Sequence, residues 1–293
     1  MILSIITLNY KKVDLTINYI KSLYTQFSEK FEDNTIELTI VDNASGDESV
    51  EVLNKTIHQE KYKNIRVLAN SENVGFGKGC NLGAKNAMGK YILFLNNDTI
   101  IKDKGILDMV SFLDQHPEAS ILGGQLCNMD GSLQSSTGNF YTTPRVFMLL
   151  LGLQRYKLID NSPEKISKVD WIKGGFFMIR ADAFCKLKGF DEKIFMYTED
   201  MELCYRAANA KYATYFYPHA KVLHVDQGSS SRTFAVINIY ENLLYFYKKH
   251  RSYKEYVFLK TLLKTKALLL YTIGKIIKNS YLSQTYEKAL KVI

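Results

Sequence analysis

Three apolar runs of this chain end in side chains able to hold a ligand. Residues 91–95 lead into Asn96, Asn97 and Asp98, residues 36–41 into Asp42 and Asn43, and the first run delivers Thr7 and Asn9. A carboxylate beside two amides suits a metal-bound phosphate, because hard divalent cations take oxygen ligands. A carboxylate at Asp42 can accept the imide N–H of uracil or thymine. Asn and Asp also favour turns for local hydrogen-bonding reasons, so each stretch alone has an ordinary explanation. Three such ends are harder to dismiss, since ligands of open α/β sheets bind beyond the carboxyl ends of the strands.

Two further stretches carry ionisable groups. Thr198 precedes Glu199 and Asp200 at the start of a helical pattern, which makes Thr198 an N-cap candidate and puts both acids in the first turn. Either they only cap the helix, or one serves as a general base whose pKa is raised by burial or by the other carboxylate. His224 follows an apolar run and opens a segment containing Gly228, Ser229 and Ser230. It is either structural or an imidazole ligand beside the oxygen donor of Asp98, and the Gly-Ser run can close over a phosphate with backbone N–H groups. Residues 73–83 place Asn73, Gly75, Gly77, Gly79 and Gly83 before and within a helical stretch. From Gly77 the spacing is one residue too long for the dinucleotide fingerprint, which disfavours a nicotinamide dehydrogenase. Either a glycine-opened helix permits close approach of a pyrophosphate, or the glycines only make a flexible connection.

These groups need a scaffold, and the first half of the chain supplies the signals for one. Strand candidates at 2–8, 36–41, 65–68 and 91–95 alternate with helix candidates at 14–27, 47–59 and 77–87, the pattern of a mostly parallel sheet with crossover helices. Asp14 and Asp47 are candidate N-caps. A helix at 103–115, strands at 120–126, 175–179 and 213–217, and helices at 181–187 and 199–209 complete the domain. Between 138 and 170 the pattern dissolves except for an apolar patch at 146–153, read as a long loop or small helical insert near a binding site.

At 293 residues and 46% hydrophobic the chain can bury a large core. Four scattered cysteines without a Cys-x-x-Cys pair argue against a zinc site or a disulfide frame. The N-terminal apolar stretch lacks a basic region before it and a cleavage site after it, so a first strand explains it better than a signal peptide. No uncharged apolar run approaches the roughly 20 residues that span a bilayer.

The net charge of +8 is uneven. Residues 248–293 hold ten Lys and one Arg against Glu255 and Glu287, giving +9, and the other 247 residues hold 27 basic and 28 acidic side chains, giving −1. Within this tail, Phe258, Leu259, Leu262, Leu263, Leu269, Leu270, Ile273, Ile276 and Ile277 recur at helical spacing, with Lys260, Lys264, Lys275 and Lys278 opposite. Such a helix either lies in an anionic membrane surface or packs on the domain with a solvated Lys face. No groove-reading motif accompanies the charge, so nucleic acid is not expected as a partner.

Taken in order over roughly residues 1–247, these motifs resemble the family-2 inverting glycosyltransferases, closest to the bacterial rhamnosyltransferase-like subgroup. The resemblance implies an α/β GT-A fold, with a mixed, largely parallel sheet flanked by helices. It implies a catalytic domain over residues 1–240, whose halves of about 1–100 and 101–240 bind nucleotide and acceptor, and a basic helical tail over 241–293. It places Thr7, Asn9, Asp42, Asn43, Asn73, Gly75 and Gly77 at the nucleotide, and Asn96, Asn97 and Gly175 at the nucleotide-sugar. Asp98 would hold a divalent Mg or Mn, with His224 as a second metal ligand or a diphosphate contact, Trp171 and Glu199 would face the acceptor, and Asp200 would be the base. Asn96 stands where the family's metal motif often has a first carboxylate.

The implied reaction moves a sugar from a nucleoside-diphosphate donor, dTDP-rhamnose or a UDP-sugar, to a hydroxyl of a lipid-linked or growing cell-surface polysaccharide. The setting would be the inner face of a bacterial plasma membrane, reached through the tail. The alternative is a non-catalytic nucleotide-sugar-binding scaffold of the same fold. Retention of both Asp98 and Asp200 favours the enzyme, because binding alone needs no base.

Overall fold

The computed structural model describes residues 1–150, 160–225 and 231–293. The chain divides into two compact units, the first being Met1–Asn139, Asp160–Phe195 and Glu199–Gln227, and the second Phe140–Ile159, Met196–Thr198 and Gly228–Ile293.

In chain order the first unit begins β1 (Leu3–Asn9), α1 (Val13–Glu32), β2 (Ile36–Asp42), α2 (Ser49–Gln59), β3 (Ile65–Ala69) and α3 (Phe76–Ala84). It continues through β4 (Tyr91–Leu95), β5 (Thr99–Ile101), α4 (Gly105–Gln115), β6 (Ala119–Cys127) and β7 (Thr137–Gly138). After α5 (Thr143–Leu150), which belongs to the second unit, come β8 (Asp160–Asn161), β9 (Ser167–Lys168), β10 (Trp171–Ile172) and β11 (Phe176–Arg180). The first unit closes with α6 (Ala181–Lys186), α7 (Glu199–Asn209) and β12 (Ala213–His224).

The main sheet runs β3-β2-β1-β4-β11-β6-β12-β5. Neighbours from β3 to β4 are parallel, β11 is antiparallel to both β4 and β6, β12 is parallel to β6, and β5 is antiparallel to β12. The expected mixed, largely parallel sheet is present. β1, β2 and β4 are buried along nearly their whole length, so apolar runs fill them and polar groups appear where they leave the core. Tyr19, Ile20, Leu23, Phe27 and Phe31 of α1 and Met109 and Leu113 of α4 pack with this sheet into one core. Burial of each large side chain contributes about 1.5–3 kcal/mol.

Three capping expectations are corrected. Lys12 rather than Asp14 precedes α1, and Asp14 lies in its first turn. Asp47 accepts the Ser49 N–H at 3.0 Å one residue ahead of the α2 cap position, Glu48. Thr198 does not cap α7: its φ is +68°, and its hydroxyl has no hydrogen-bond partner among the described residues. A capping residue needs extended backbone to aim its oxygen at the helix. The patterning gap at 138–170 holds α5 and short strands, so a helical insert is present. Residues 151–153 of its apolar patch, and the Gly228–Ser230 run, lie outside the described residues.

The second unit continues with α8 (Arg232–His250), α9 (Tyr253–Ile276) and α10 (Ser280–Val292). α8 runs unbroken through residue 240, where the sequence suggested a boundary. Ser231 caps α8, and a reciprocal Ser252–Glu255 capping box opens α9. Leu259, Leu263, Ala267 and Gly274 of α9 face inward. A Cβ on Gly274 would meet the Ser283 backbone at 2.6 Å, which lets α10 approach closely. The apolar stripe of α9 is wider than this seam. Phe258, Leu269 and Ile276 stay exposed at its shoulder, and Leu268 lies outward with Lys254, Lys264 and Lys275. The separation of apolar and Lys faces is therefore partial, because the innermost apolar positions are used in packing. No helix among the described residues is long and apolar enough to cross a membrane.

Candidate functional site

Parallel register brings the predicted strand ends together, with Asn9 opposite Asp42 across β1 and β2. Asn9 Nδ2 donates to Asp42 Oδ2 at 2.7 Å, and the Ser45 hydroxyl donates to the same oxygen at 2.6 Å. Asp42 Oδ1 accepts the Ser45 N–H at 2.9 Å. Two of these hydrogen bonds tie Asp42, 2% exposed, into the loop that follows β2, and the third ties it to the end of β1. Asn97 Nδ2 donates to the Thr16 hydroxyl, which donates to Asn9 Oδ1, both at 2.8 Å. Asn97 therefore fastens the end of β4 to α1. Thr7 is buried, and its hydroxyl has no partner among the described residues.

A second knot joins the loop after β2 to the glycine segment. Asn43 Nδ2 donates to Asn73 Oδ1 at 2.9 Å and to the Gly75 carbonyl at 3.1 Å, while Asn43 Oδ1 accepts from Asn70 Nδ2 and the Val74 N–H. Gly75 has φ +83°, and a Cβ there would strike the Phe195 carbonyl at 2.1 Å. A Cβ on Gly77 would touch Phe190 at 3.0 Å and Glu199 at 3.5 Å, and one on Gly79 would strike Leu8 at 2.7 Å. The glycines let α3 lie against β1 and against the segment before α7. Sequence reasoning attributed them to pyrophosphate approach and did not see this packing.

That segment is clamped from several sides. Asn81 Nδ2 donates to the Phe190 carbonyl and Asn81 Oδ1 accepts the Phe190 N–H, both at 2.9 Å. The Phe76 N–H donates to the Phe195 carbonyl at 2.8 Å. The fully buried Phe190 ring meets Phe94 of β4 edge-on, with centroids 4.9 Å apart. Asn81 was not singled out from the sequence, because its partners lie more than a hundred residues away.

Glu199 and Asp200 follow the clamp. Glu199 is 6% exposed, and its Oε2 has no hydrogen-bond partner among the described residues. Burial, and then the Asp200 charge, push its pKa up to about 8. Asp200 is half-buried; its Oδ2 accepts the Gly174 N–H at 2.8 Å and its Oδ1 the Met201 N–H at 2.7 Å. Burial pushes its pKa up to about 6, opposed by those two N–H groups and by the charge of Lys173. A carboxyl titrating near 6 can accept a proton at neutral pH.

Gly174 and Gly175 link the two carboxylate regions. The Gly175 carbonyl accepts the Asn96 N–H at 3.2 Å, and Gly174 holds Asp200. A Cβ on Gly175 would come within 3.3 Å of the Asn96 amide. Trp171, 5% exposed, lays its ring on Gly138 and donates its indole N–H to the Asn139 carbonyl at 3.0 Å.

On the Asp98 side, antiparallel pairing sets His224 opposite Thr99, and the Val225 N–H donates to the Asp98 carbonyl at 3.0 Å. His224 Nε2 then lies 3.3 Å from Asp98 Oδ1 and 3.4 Å from Asn96 Nδ2. Both side chains are 12% exposed. Two donors this close fit one divalent cation completed by substrate phosphates, the carboxylate suiting magnesium or manganese and the imidazole a first-row transition metal. Among the described residues no three His, Cys, Asp or Glu side chains gather to hold a metal unaided.

Comparison with known proteins identifies the fold. The chain is similar in fold to Staphylococcus aureus TarS residues 1–349, with a TM-score of 0.55 and 14% identity over 100% of this chain and 90% of that one. It is also similar to the Pyrobaculum calidifontis mannosyltransferase PcManGT, solved with GDP-Man and Mn2+, with a TM-score of 0.60 and 13% identity over 99% and 84% of the two chains. The fold is thus the GT-A fold of nucleotide-sugar transferases.

The family model for Glycosyl transferase family 2 matches residues 4–186, and the chain belongs to that family. It is 28% identical over 162 residues to the rhamnosyltransferase WbbL of Escherichia coli K12, spanning 51% of this chain and 60% of that protein. It is 27% identical over 217 residues to the N-acetylglucosaminyl-diphospho-decaprenol L-rhamnosyltransferase of Mycobacterium tuberculosis H37Rv, spanning 67% of this chain and 69% of that protein.

Proposed function

We propose that this chain is an inverting hexosyltransferase in which Asp200 is the general base and Asp98 and His224 hold a divalent Mg or Mn. The observation that carries the reading is the link through Gly174 and Gly175, which joins Asp200 to Asn96, two residues before Asp98. A bound cation supplies charge neutralisation to the departing diphosphate.

In the reaction, Asp200 accepts the proton of an acceptor hydroxyl while that oxygen bonds to the anomeric carbon. The bond from that carbon to the diphosphate oxygen breaks on the opposite face, its electron pair leaving with the nucleoside diphosphate. Thr7, Asn9, Asp42 and Asn43 form the nucleotide side of the cleft, with Asn73, Gly75 and Gly77. Asn96, Asn97 and Gly175 border the donor sugar and diphosphate. Trp171 and Glu199 back the acceptor side.

Similarity to two rhamnosyltransferases favours dTDP-rhamnose over a UDP-sugar as donor, and the name of one of them favours a lipid-diphosphate acceptor in cell-surface polysaccharide assembly. Calorimetric titration with a panel of nucleotide sugars, with and without manganese, tests the donor. Binding of none of them removes the reading.

The membrane part of the proposal rests on the second unit. Exposed Phe258, Leu268, Leu269 and Ile276 beside Lys254, Lys264 and Lys275 suit the anionic inner face of a bacterial plasma membrane. The full-length protein should float with vesicles containing anionic lipid and not with neutral ones. Failure to float with either rejects it.

A further inference from the structure

Gln134 lies beyond β6 in a tight turn. There the Asn128 N–H donates to the Ser132 carbonyl at 2.8 Å, the Gly131 N–H to the Asn128 carbonyl at 2.8 Å, and the Gln134 N–H to the Leu126 carbonyl at 2.9 Å. Its side-chain amide bridges two parts of the site. Nε2 is 2.8 Å from Asn128 Oδ1 and 3.2 Å from the backbone carbonyl of His224. A backbone carbonyl has no proton to give, so this end of the amide is the NH2, whichever way Asn128 is turned. The other end, Oε1, is then an acceptor, and it lies 2.9 Å from His224 Nδ1.

An acceptor at that distance calls for a proton on Nδ1. A neutral imidazole has one N–H; the contact to Gln134, 2.9 Å against 3.3 Å to Asp98 Oδ1, and the Asn96 Nδ2 donor 3.4 Å from Nε2 put the proton on Nδ1 and the lone pair on Nε2. Without such a partner, nothing on the Nδ1 side would select this tautomer. We infer that Gln134 is a positioning residue that fixes the ring and tautomer of His224, presenting the Nε2 lone pair to a divalent cation shared with Asp98. This deepens the proposed function and rests on its assignment of Asp98 and His224 to the metal.

Metal ligands of this kind lose about 10–100-fold in affinity when the partner of the far ring nitrogen is removed. Gln134→Leu removes the acceptor while keeping the volume, and Gln134→Glu keeps an acceptor facing Nδ1. The first readout is binding of Mn2+ by electron paramagnetic resonance, without turnover, in the presence of UDP and in parallel dTDP. Gln134→Leu should bind Mn2+ about 10–100-fold more weakly, Gln134→Glu should recover most of the loss, and nucleotide binding without metal should be unchanged in both.

The second readout needs no metal. Nitrogen-15 spectra of the histidine ring at pH 8, assigned by comparison with His224→Ala, should show the Nδ1–H tautomer in the wild type and a shift towards Nε2–H in Gln134→Leu. Unchanged Mn2+ affinity or an unchanged tautomer in Gln134→Leu overturns the inference. A wild type that binds no Mn2+ yet shows the Gln134-dependent tautomer would instead overturn the metal assignment of the proposed function.

Discussion

Asp42 and the Glu199–Asp200 pair are all carboxylates drawn away from water, yet their oxygens are served differently. Asp42 receives three hydrogen bonds, from Asn9 and twice from Ser45. On the Glu199–Asp200 pair, Asp200 takes the Gly174 and Met201 N–H groups, while Glu199 Oε2 has no partner among the described residues. Both Glu199 and Asp200 have raised pKa values, with burial as the leading cause. A carboxylate whose lone pairs are taken up holds a loop in shape. A carboxylate short of partners beside another acid is poised to take a proton. The contrast sets a shaping end of the sheet apart from a proton-binding start of α7.

The sharpest way to break this contrast is to neutralise one member of each kind. Asp200→Asn keeps the shape and removes the proton acceptor, so the transfer rate should fall by about 10²–10⁴-fold, with donor affinity by calorimetry little changed. Near-full transfer by this variant would move the base elsewhere. Asp42→Asn should behave in the opposite way. It puts an NH2 where three donors converge, and should cost about 1–3 kcal/mol of stability in a denaturant titration. Any loss of activity in it should follow loss of nucleotide binding rather than of the chemical step.

The shaping region was legible in the sequence, and the proton-binding one only in part. Apolar runs ending in Asn9, Asp42 and Asn96 announce buried strands with polar exits, since burial selects the run and solvent or ligand selects its end. The acids at 199 and 200 were visible as a helix start. What hid was the manner of that start. Thr198 reads as a cap, but Tyr197 and Thr198 both take left-handed φ, +70° and +68°, and α8 holds that turn through Asn242, which donates to the Met196 and Tyr197 carbonyls at 2.8 and 2.9 Å. Composition gives no sign of a turn fixed by a helix over forty residues later. Strand direction was equally silent, because the apolar run of β11 reads the same whether it lies parallel or antiparallel to β4. Gln134 escaped for a related reason: ninety residues separate it from the ring it faces.

The pH profile sharpens the comparison further. In the proposed role Asp200 works as the carboxylate, and burial raises its pKa to about 6. The apparent second-order rate should therefore be flat above about pH 6.5 and fall about tenfold per unit well below pH 6. Glu199, raised higher still, remains protonated through that range. Glu199→Gln should leave the midpoint of the fall near its wild-type position. A profile without any inflection between pH 5 and 7 would remove Asp200 from the role.

Glu199 supplies the smallest effect, and its sign is opposite to that of Asp42. Its folded pKa lies above the unfolded value, so the protonated form is the one the fold favours. Relative to a side chain that cannot ionise, the wild type keeps its full stability below about pH 4.5 and loses it as pH rises to the folded pKa near 8. Glu199→Gln removes that loss but brings an amide N–H that also lacks a partner, which offsets part of the gain. We expect a net stabilisation of about 1 kcal/mol at pH 8, or roughly 2–4 °C in the thermal midpoint, turning into a net loss at pH 4.5, where only the cost of the extra amide N–H remains. A gain of equal size at both pH values would mean that Glu199 is held by packing alone. A loss at pH 8 would mean that its carboxylate has a partner as effective as those of Asp42.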